Sequence, residues 1–167
     1  MKQKAEFEDR ILVMGIGNYL MGDEGVGVHF AQSLSELILP PHVDVVDGGT
    51  GGFHLLEYFE SYPQVILVDA TLDDQPAGTI RLIKPKFAED FPVAMSTHDI
   101  GLKDLVSALH LLDTAPEIHL LVVSIASIQQ QGIQLSKEIE AAMPHLFEKV
   151  TELIGDITER TLDLTVA

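Results

Sequence analysis

Three short apolar runs constrain the fold most: "RILVM" before "GIG" (10–17), "QVILVDA" (64–70) and "IHLLVVSIA" (118–126). None alternates between apolar and polar residues as a half-exposed strand does. Such runs, bounded by glycines or turn residues, mark strands buried on both faces, the situation of parallel strands beneath helices. "VDVVD" (43–47) and "GTIRLIK" (78–84) supply two further strands, the latter alternating and so half exposed near an edge.

The intervening segments carry helical spacing. Val26, Phe30, Leu34 and Leu37 recur on one face between Asp23 and about Leu37, with Asp23 as N-cap and "ILPPH" as the stop. "FHLLEYFES" (53–61) is a short helix ended by Pro63. "HDIGLKDLVSALHLL" (98–112) places Leu102, Leu105, Val106 and Leu109 together, and residues 136–154 form a last long helix capped by Ser136. Only "TLDDQPA" (71–77) separates the third and fourth strands. A parallel return needs about a dozen residues, so the fourth strand runs antiparallel to the third. "PKFAEDFPVAMST" (85–97) is an irregular loop, of a length that is often functional. "QQQGIQ" is a polar loop, and "TLDLTV" (161–166) a short extra strand or loose tail. The order predicts a three-layer α/β/α sandwich on a mostly parallel five-stranded sheet, with helices on both faces. Residues 1–9 read as a polar arm, 10–155 as one domain and 156–167 as a tail.

Charge narrows the partners. Aspartate and glutamate outnumber lysine and arginine 26 to 10, a net charge of -16 that opposes nucleic acid and favours a basic partner surface. Absence of cysteine removes disulfides, thiolate metal sites and a cysteine nucleophile. "MKQKAEFEDR" lacks the apolar core of a signal peptide, and no run approaches the ~20 residues of a membrane span. A monomeric cytoplasmic protein without membrane insertion is expected.

In such sheets the site lies outside the carboxyl ends of the strands. The residues placed there are Asn18, Asp23 and Glu24 after strand one, Asp47 and "GGTGG" (48–52) after strand two, Asp69 ending strand three, and His98 ahead of the third helix. The turn "GIGNYLMGDEGVG" (15–27) suggests a phosphate cradle, but position 20 is leucine where the dinucleotide fingerprint wants glycine. Asp47 lies about 30 residues on rather than about 20, and Glu24 would face the pyrophosphate. Glu24, Asp69 and His98 are a normal ligand set for zinc, nickel or a similar divalent ion, with positions left open for water or substrate. Each also has a plain structural reading: Glu24 favoured by the helix dipole, Asp69 as a loop cap, His98 as a helix-start residue.

The other histidines (His29, His42, His54, His110, His119 and His145) need no function. His54 and Glu57 read as a surface pair, and His119 as a strand residue. There is no Gly-x-Ser-x-Gly elbow and no His-Glu-x-x-His helix, and Ser96 near His98 is weak support for a serine nucleophile. "DGGTGG" is either a turn that needs positive φ or a loop whose bare backbone admits an extended peptide. Four glycines in five residues favour the second.

Five motifs in order, "ILVMGIGNYLMGDEGVG", "VDVVDGGTGG", "VILVDA", "GTI" and "STHDIGLKDLVSAL", resemble the nickel-iron hydrogenase maturation endopeptidases over residues 10–155. The resemblance implies metal ligands Glu24, Asp69 and His98. It implies a role in cleavage and specificity for the loop Asp47, Gly48, Gly49, Thr50 and Gly51, and strand order 2-1-3-5-4 with the fourth antiparallel. The implied activity, of metal-dependent or aspartic type, removes a C-terminal tail from a hydrogenase large-subunit precursor after nickel delivery. The nickel is carried by the substrate, with zinc or another divalent ion as an alternative occupant. A noncatalytic nickel-sensing chaperone and a nucleotide-binding domain are the competing readings.

Overall fold

The computed structural model describes residues 8–86, 88–92, 100–127 and 131–166. Five strands, β1 (Ile11–Gly15), β2 (Val43–Asp47), β3 (Gln64–Thr71), β4 (Ile80–Ile83) and β5 (Glu117–Ser124), form one sheet in the order β2-β1-β3-β5-β4. β1 pairs in parallel with β2 and β3, and β3 with β5, while β4 runs antiparallel to β5 at the edge. Both the order and the reversed strand agree with expectation.

The pleat divides the apolar runs between two cores. Ile11, Val13, Ile66, Val68, Leu121 and Val123 face one way, against helix α1 (Val26–Ser35) and helix α4 (Lys137–Val166). Leu12, Met14, Val65, Leu67, Leu120 and Val122 face the other, against helix α2 (Leu56–Ser61) and helix α3 (Ile100–Leu111). Alternation sends successive residues to opposite faces, so a continuously apolar strand needs a helical layer on each side.

Several boundaries differ from expectation. α1 ends at Ser35, which leaves Leu37 off the apolar face and 55% exposed. Asp23 does not cap α1: it lies inside a 3-10 turn, Gly22–Gly25, that runs directly into the helix, and its Oδ1 accepts the backbone N–H of Ser136 at 2.7 Å. Ser136 does cap α4, its hydroxyl accepting the N–H of Ile139 at 3.4 Å. α4 does not stop near 154. "TLDLTV" is helical through Val166, neither strand nor loose tail, and the boundary expected after 155 falls inside the helix. The reason is that Val150, Leu153 and Ile157 continue the buried face of Ile139 and Leu146, while Thr158 bonds His42 Nε2 at 3.0 Å. In the loop after β4, a 3-10 turn (Ala88–Asp90) leads to Phe91, buried in the second core; residues 87 and 93–97 lie outside the described set.

Polar clusters tie the amino-terminal edge of the sheet. Arg10 donates twice to Asp44, at 2.7 and 2.6 Å, and Tyr62 Oη donates to the same carboxylate at 2.7 Å. The Arg10 hydrogen bond holds the Asp44 carboxyl below its usual range. Burial, then the bond to Asp44, pushes the Tyr62 phenol up to about 12. On β5, His119 is fully buried. The Gln64 amide nitrogen donates to Glu117 at 3.0 Å, so its oxygen is left to accept from His119 Nε2 at 2.8 Å.

Burial lowers the His119 pKa from 6.5, and the nearby Glu117 only partly offsets this. Above pH 6.5 the ring is neutral both folded and unfolded. As pH falls below 6.5 the unfolded chain takes up a proton that the folded chain resists, so stability is lost until the lower folded pKa is passed. Urea midpoints measured between pH 8 and pH 5 should fall for the wild-type protein. His119→Asn should flatten the fall across that window, whatever its own stability. An unchanged slope in the variant would remove His119 as the cause.

Candidate active site

α1 packs on one face of the sheet and α2 on the other, so the chain reverses direction between β1 and β3, and the carboxyl ends of these two strands border the switch-point crevice. Glu24 lies in the turn after β1, and Asp69 stands in β3 two residues before its end at Thr71. The register pairs Gly15 with Asp47 on one side and with Val68 on the other, which puts Asp69 one residue past the β1 pairing.

The turn that carries Glu24 is clamped from below and above. Gly15 and Gly27 let α1 sit directly on the sheet: a Cβ on Gly27 would lie 2.2 Å from the Val68 carbonyl oxygen, and one on Gly15 1.9 Å from the Gly27 oxygen. Asn18 Oδ1 accepts the Leu20 N–H at 3.1 Å, and the Asn18 carbonyl accepts that of Met21 at 3.1 Å. On the outer side Gly132 donates to Leu20 O at 2.8 Å and accepts from Gly22 N–H at 2.7 Å, a parallel bridge with Met21 at its centre. This clamp by the segment after β5 was not legible in the polar run "QQQGIQ". A lone glycine there is the only hint, and it does not name its partner.

Glu24 is 5% exposed and Asp69 1% exposed. Asp69 Oδ1 accepts the N–H of Ala70 at 2.7 Å. Two carboxylates buried at one switch point make an unusual demand, since a buried carboxylate is costly without compensating positive charge or hydrogen bonds. Their chemistry, hard oxygen donors fixed on rigid elements, fits a divalent cation. The third expected ligand, His98, lies outside the described residues, as does Ser96. Among the described residues no three His, Asp or Glu side chains gather as a metal centre.

Asp47 is exposed and turned onto its own loop: Oδ1 accepts the Gly49 N–H at 2.9 Å and Oδ2 lies 3.4 Å from the Gln32 amide nitrogen. The glycine loop is stitched to the β1 turn by Gly17 N–H to Gly49 O at 2.7 Å and Gly48 N–H to Gly15 O at 2.8 Å. Gly49, Gly51 and Gly52 all have positive φ, of 55°, 83° and 113°. Backbone conformation therefore accounts for more of this run than one turn would need, and the number of glycines is not by itself a sign of peptide binding. His54 and Glu57 are both exposed.

A cleft of about 630 Å³ opens beside the β1 turn, between Tyr19, His29 and the start of α4. Another, of about 420 Å³, lies at the opposite edge, where Tyr62–Pro63 and Pro116 lead into β3 and β5. It is remote from Glu24 and Asp69.

The family model described as hydrogenase maturation protease matches residues 28–153, a span that includes Asp47, Asp69 and His98 and begins just after Glu24. The hydrogenase 2 maturation protease of Escherichia coli is 34% identical over 144 residues, covering 84% of this chain and 88% of that protein. The hydrogenase expression/formation protein HoxM of Cupriavidus necator is 30% identical over 165 residues, covering 94% and 82%. Among solved structures, the hydrogenase maturating endopeptidase HybD from E. coli superposes with a TM-score of 0.80 at 31% identity, covering 88% of this chain and 93% of that one. The NiFe hydrogenase maturation protease HybD from Thermococcus kodakarensis gives 0.72 at 26% identity, covering 87% and 99%. With this sheet order, these buried carboxylates and these relatives, the chain belongs to the hydrogenase maturation protease family and is an endopeptidase of that family.

Proposed function

We propose that this endopeptidase removes the C-terminal extension of a nickel-iron hydrogenase large-subunit precursor once nickel has been inserted, and that Glu24, Asp69 and His98 engage the nickel that the precursor brings. The observation that carries the reading is the pair of buried carboxylates, Glu24 in the turn that follows β1 and Asp69 on β3, the two strands that border the switch point. An ion arriving with the substrate meets donors already held in place, so little ordering cost remains at the moment of recognition. Zinc or another divalent ion is the alternative occupant of the same donor set.

The chain's own residues divide the work. Glu24 and Asp69 supply fixed anionic oxygens in a crevice largely closed to water. Asp47 holds the glycine loop by its bond to Gly49, which fits a shaping role better than that of a free base. Gly48, Gly49, Thr50 and Gly51 present backbone to an extended peptide laid across the edge. The ion, when present, would polarise the junction carbonyl or lower the pKa of a water. No helix among the described residues is long and apolar enough to cross a membrane, and we place the reaction in the cytoplasm, with the enzyme as a monomer.

The test mixes purified protein with nickel-loaded and with nickel-free precursor and follows the mass of the large subunit. Loss of the tail from the loaded form alone is expected. A loaded precursor that binds and keeps its full mass would replace the protease with a nickel-sensing chaperone.

A further inference from the structure

Asp69 is not the last polar residue on its side of the sheet. Alternation along β3 sends Val65 and Leu67 to the core under α2 and α3, and so Asp69 and Thr71 point to that side as well. On β5 it sends Ile118, Leu120 and Val122 there, and with them Ser124. The parallel register sets Thr71 directly beside Ser124, two positions beyond the pair of Asp69 and Val122. Thr71 is 1% exposed and Ser124 is fully buried, and among the described residues neither hydroxyl has a hydrogen-bond partner. Ser124 leans toward the Asp73 carboxylate at a geometry short of a hydrogen bond. Burial would raise that carboxyl, and Ser124, the Gln75 N–H and Arg81 together hold it below its usual range. The backbone around the two hydroxyls is already paired: Thr71 O accepts the Ile125 N–H at 2.9 Å, while the Ser124 N–H and carbonyl bond Thr79 O and the Gly78 N–H, each at 2.8 Å.

We infer that Thr71 and Ser124 hold one ordered water that braces the Asp69 carboxylate, which makes Thr71 a positioning residue for the nickel-engaging site. The inference rests on the metal role proposed above for Asp69. A buried hydroxyl left unpaired is costly, and native interiors satisfy it with a protein group or an ordered water. Spacing favours water. Side-by-side residues on adjacent strands stand about 4.8 Å apart, and alternate residues along one strand about 6.6 Å. A single water forming hydrogen bonds of about 2.8 Å spans separations of this size. It accepts the Thr71 O–H and donates to the Asp69 carboxylate and to the Ser124 oxygen, three bonds being usual for a buried water. Asp69 Oδ1 already accepts the Ala70 N–H at 2.7 Å, and a carboxylate accepts several further bonds. A ligand carboxylate held from two sides keeps its orientation when the ion arrives, as the outer partners of metal ligands ensure elsewhere.

Thr71→Val keeps the shape of the side chain and removes its hydroxyl. It should lower the urea midpoint by about 0.5 M and weaken calorimetric binding of zinc ion to the purified protein about tenfold. Thr71→Ser should restore both values. Ser124→Ala should match Thr71→Val, and the double variant should lose little more than either alone, because each change removes the same water. Zinc affinity at the wild-type level in Thr71→Val, beside an Asp69→Asn variant that has lost it, would overturn the positioning role. So would a urea midpoint above wild type in Thr71→Val, since valine relieves a hydroxyl that has no partner. A crystal structure with the two hydroxyls bonded directly to protein groups, and no water between them, would do the same. Failure of the metal reading has a different signature: zinc binding that is absent from wild type, or unchanged in Asp69→Asn. The brace is then decided by urea unfolding of Thr71→Val, Asp69→Asn and the double variant. Non-additive losses support it and additive losses overturn it.

Discussion

Glu24→Ala is expected to slow removal of the precursor tail by at least roughly 10³-fold while the protein stays folded. The several kcal/mol that a correctly held cation supplies to carbonyl polarisation correspond to that factor at about 1.36 kcal/mol per decade. Stability should change little, because Glu24 makes no ion pair among the described residues and loses only a carboxylate that folding buries to 5% exposure. Removing such a group relieves a desolvation cost as it removes packing. Glu24→Gln is the sharper version: it keeps the shape and loses the charge, and it should be nearly as inactive. The measurement is a mass time course on nickel-loaded precursor, run beside urea unfolding of each variant. Processing at the wild-type rate in either variant would remove Glu24 from the site.

Gly27→Ala should have the opposite profile, with a large loss of stability of about 3 kcal/mol or more. The added Cβ would sit 2.2 Å from the Val68 carbonyl oxygen and 2.3 Å from that of Ile16. Both obstacles are backbone atoms in or beside the central strands, and neither can rotate aside as a side chain can. α1 must lift from the sheet, opening the core around Phe30 and Leu34 and dragging the preceding Gly22–Gly25 turn with it. Activity should therefore fall together with the urea midpoint, in contrast to Glu24→Ala, where only activity falls. A midpoint within about 1 kcal/mol of wild type would mean that the helix–sheet contact is looser than the geometry requires. The two substitutions, three positions apart, separate what the turn does chemically from what holds it.

Much of this architecture was legible in advance because it depends on patterns local to the chain. Runs such as "QVILVDA" are apolar at every position, and only a strand covered on both faces makes use of that. The reversal of β4 followed from a linker too short for a crossover. The helix ends were less legible. Nothing in "TLDLTV" distinguishes a tail from a last helical turn, and the outcome was set by the face that Val150, Leu153 and Ile157 extend along the sheet. Asp23 has the composition and place of an N-cap, yet its carboxylate is used by Ser136, 113 residues away in sequence. Local rules cannot weigh a competing partner so distant.

The same division holds at the site. Taken alone, the sequence determined the residue types and their address: Glu24 after the first strand, Asp69 at the end of the third, Asp47 after the second, all at one edge. That follows because a parallel sheet delivers every strand's carboxyl end to the same side. Only the tertiary structure decided that Glu24 and Asp69 are buried while Asp47 is exposed and bound to its own loop, and that Gly132 clamps the β1 turn from outside. Burial and long-range pairing depend on which surfaces meet when the layers close, and that information is carried by the whole chain at once rather than by any segment of it.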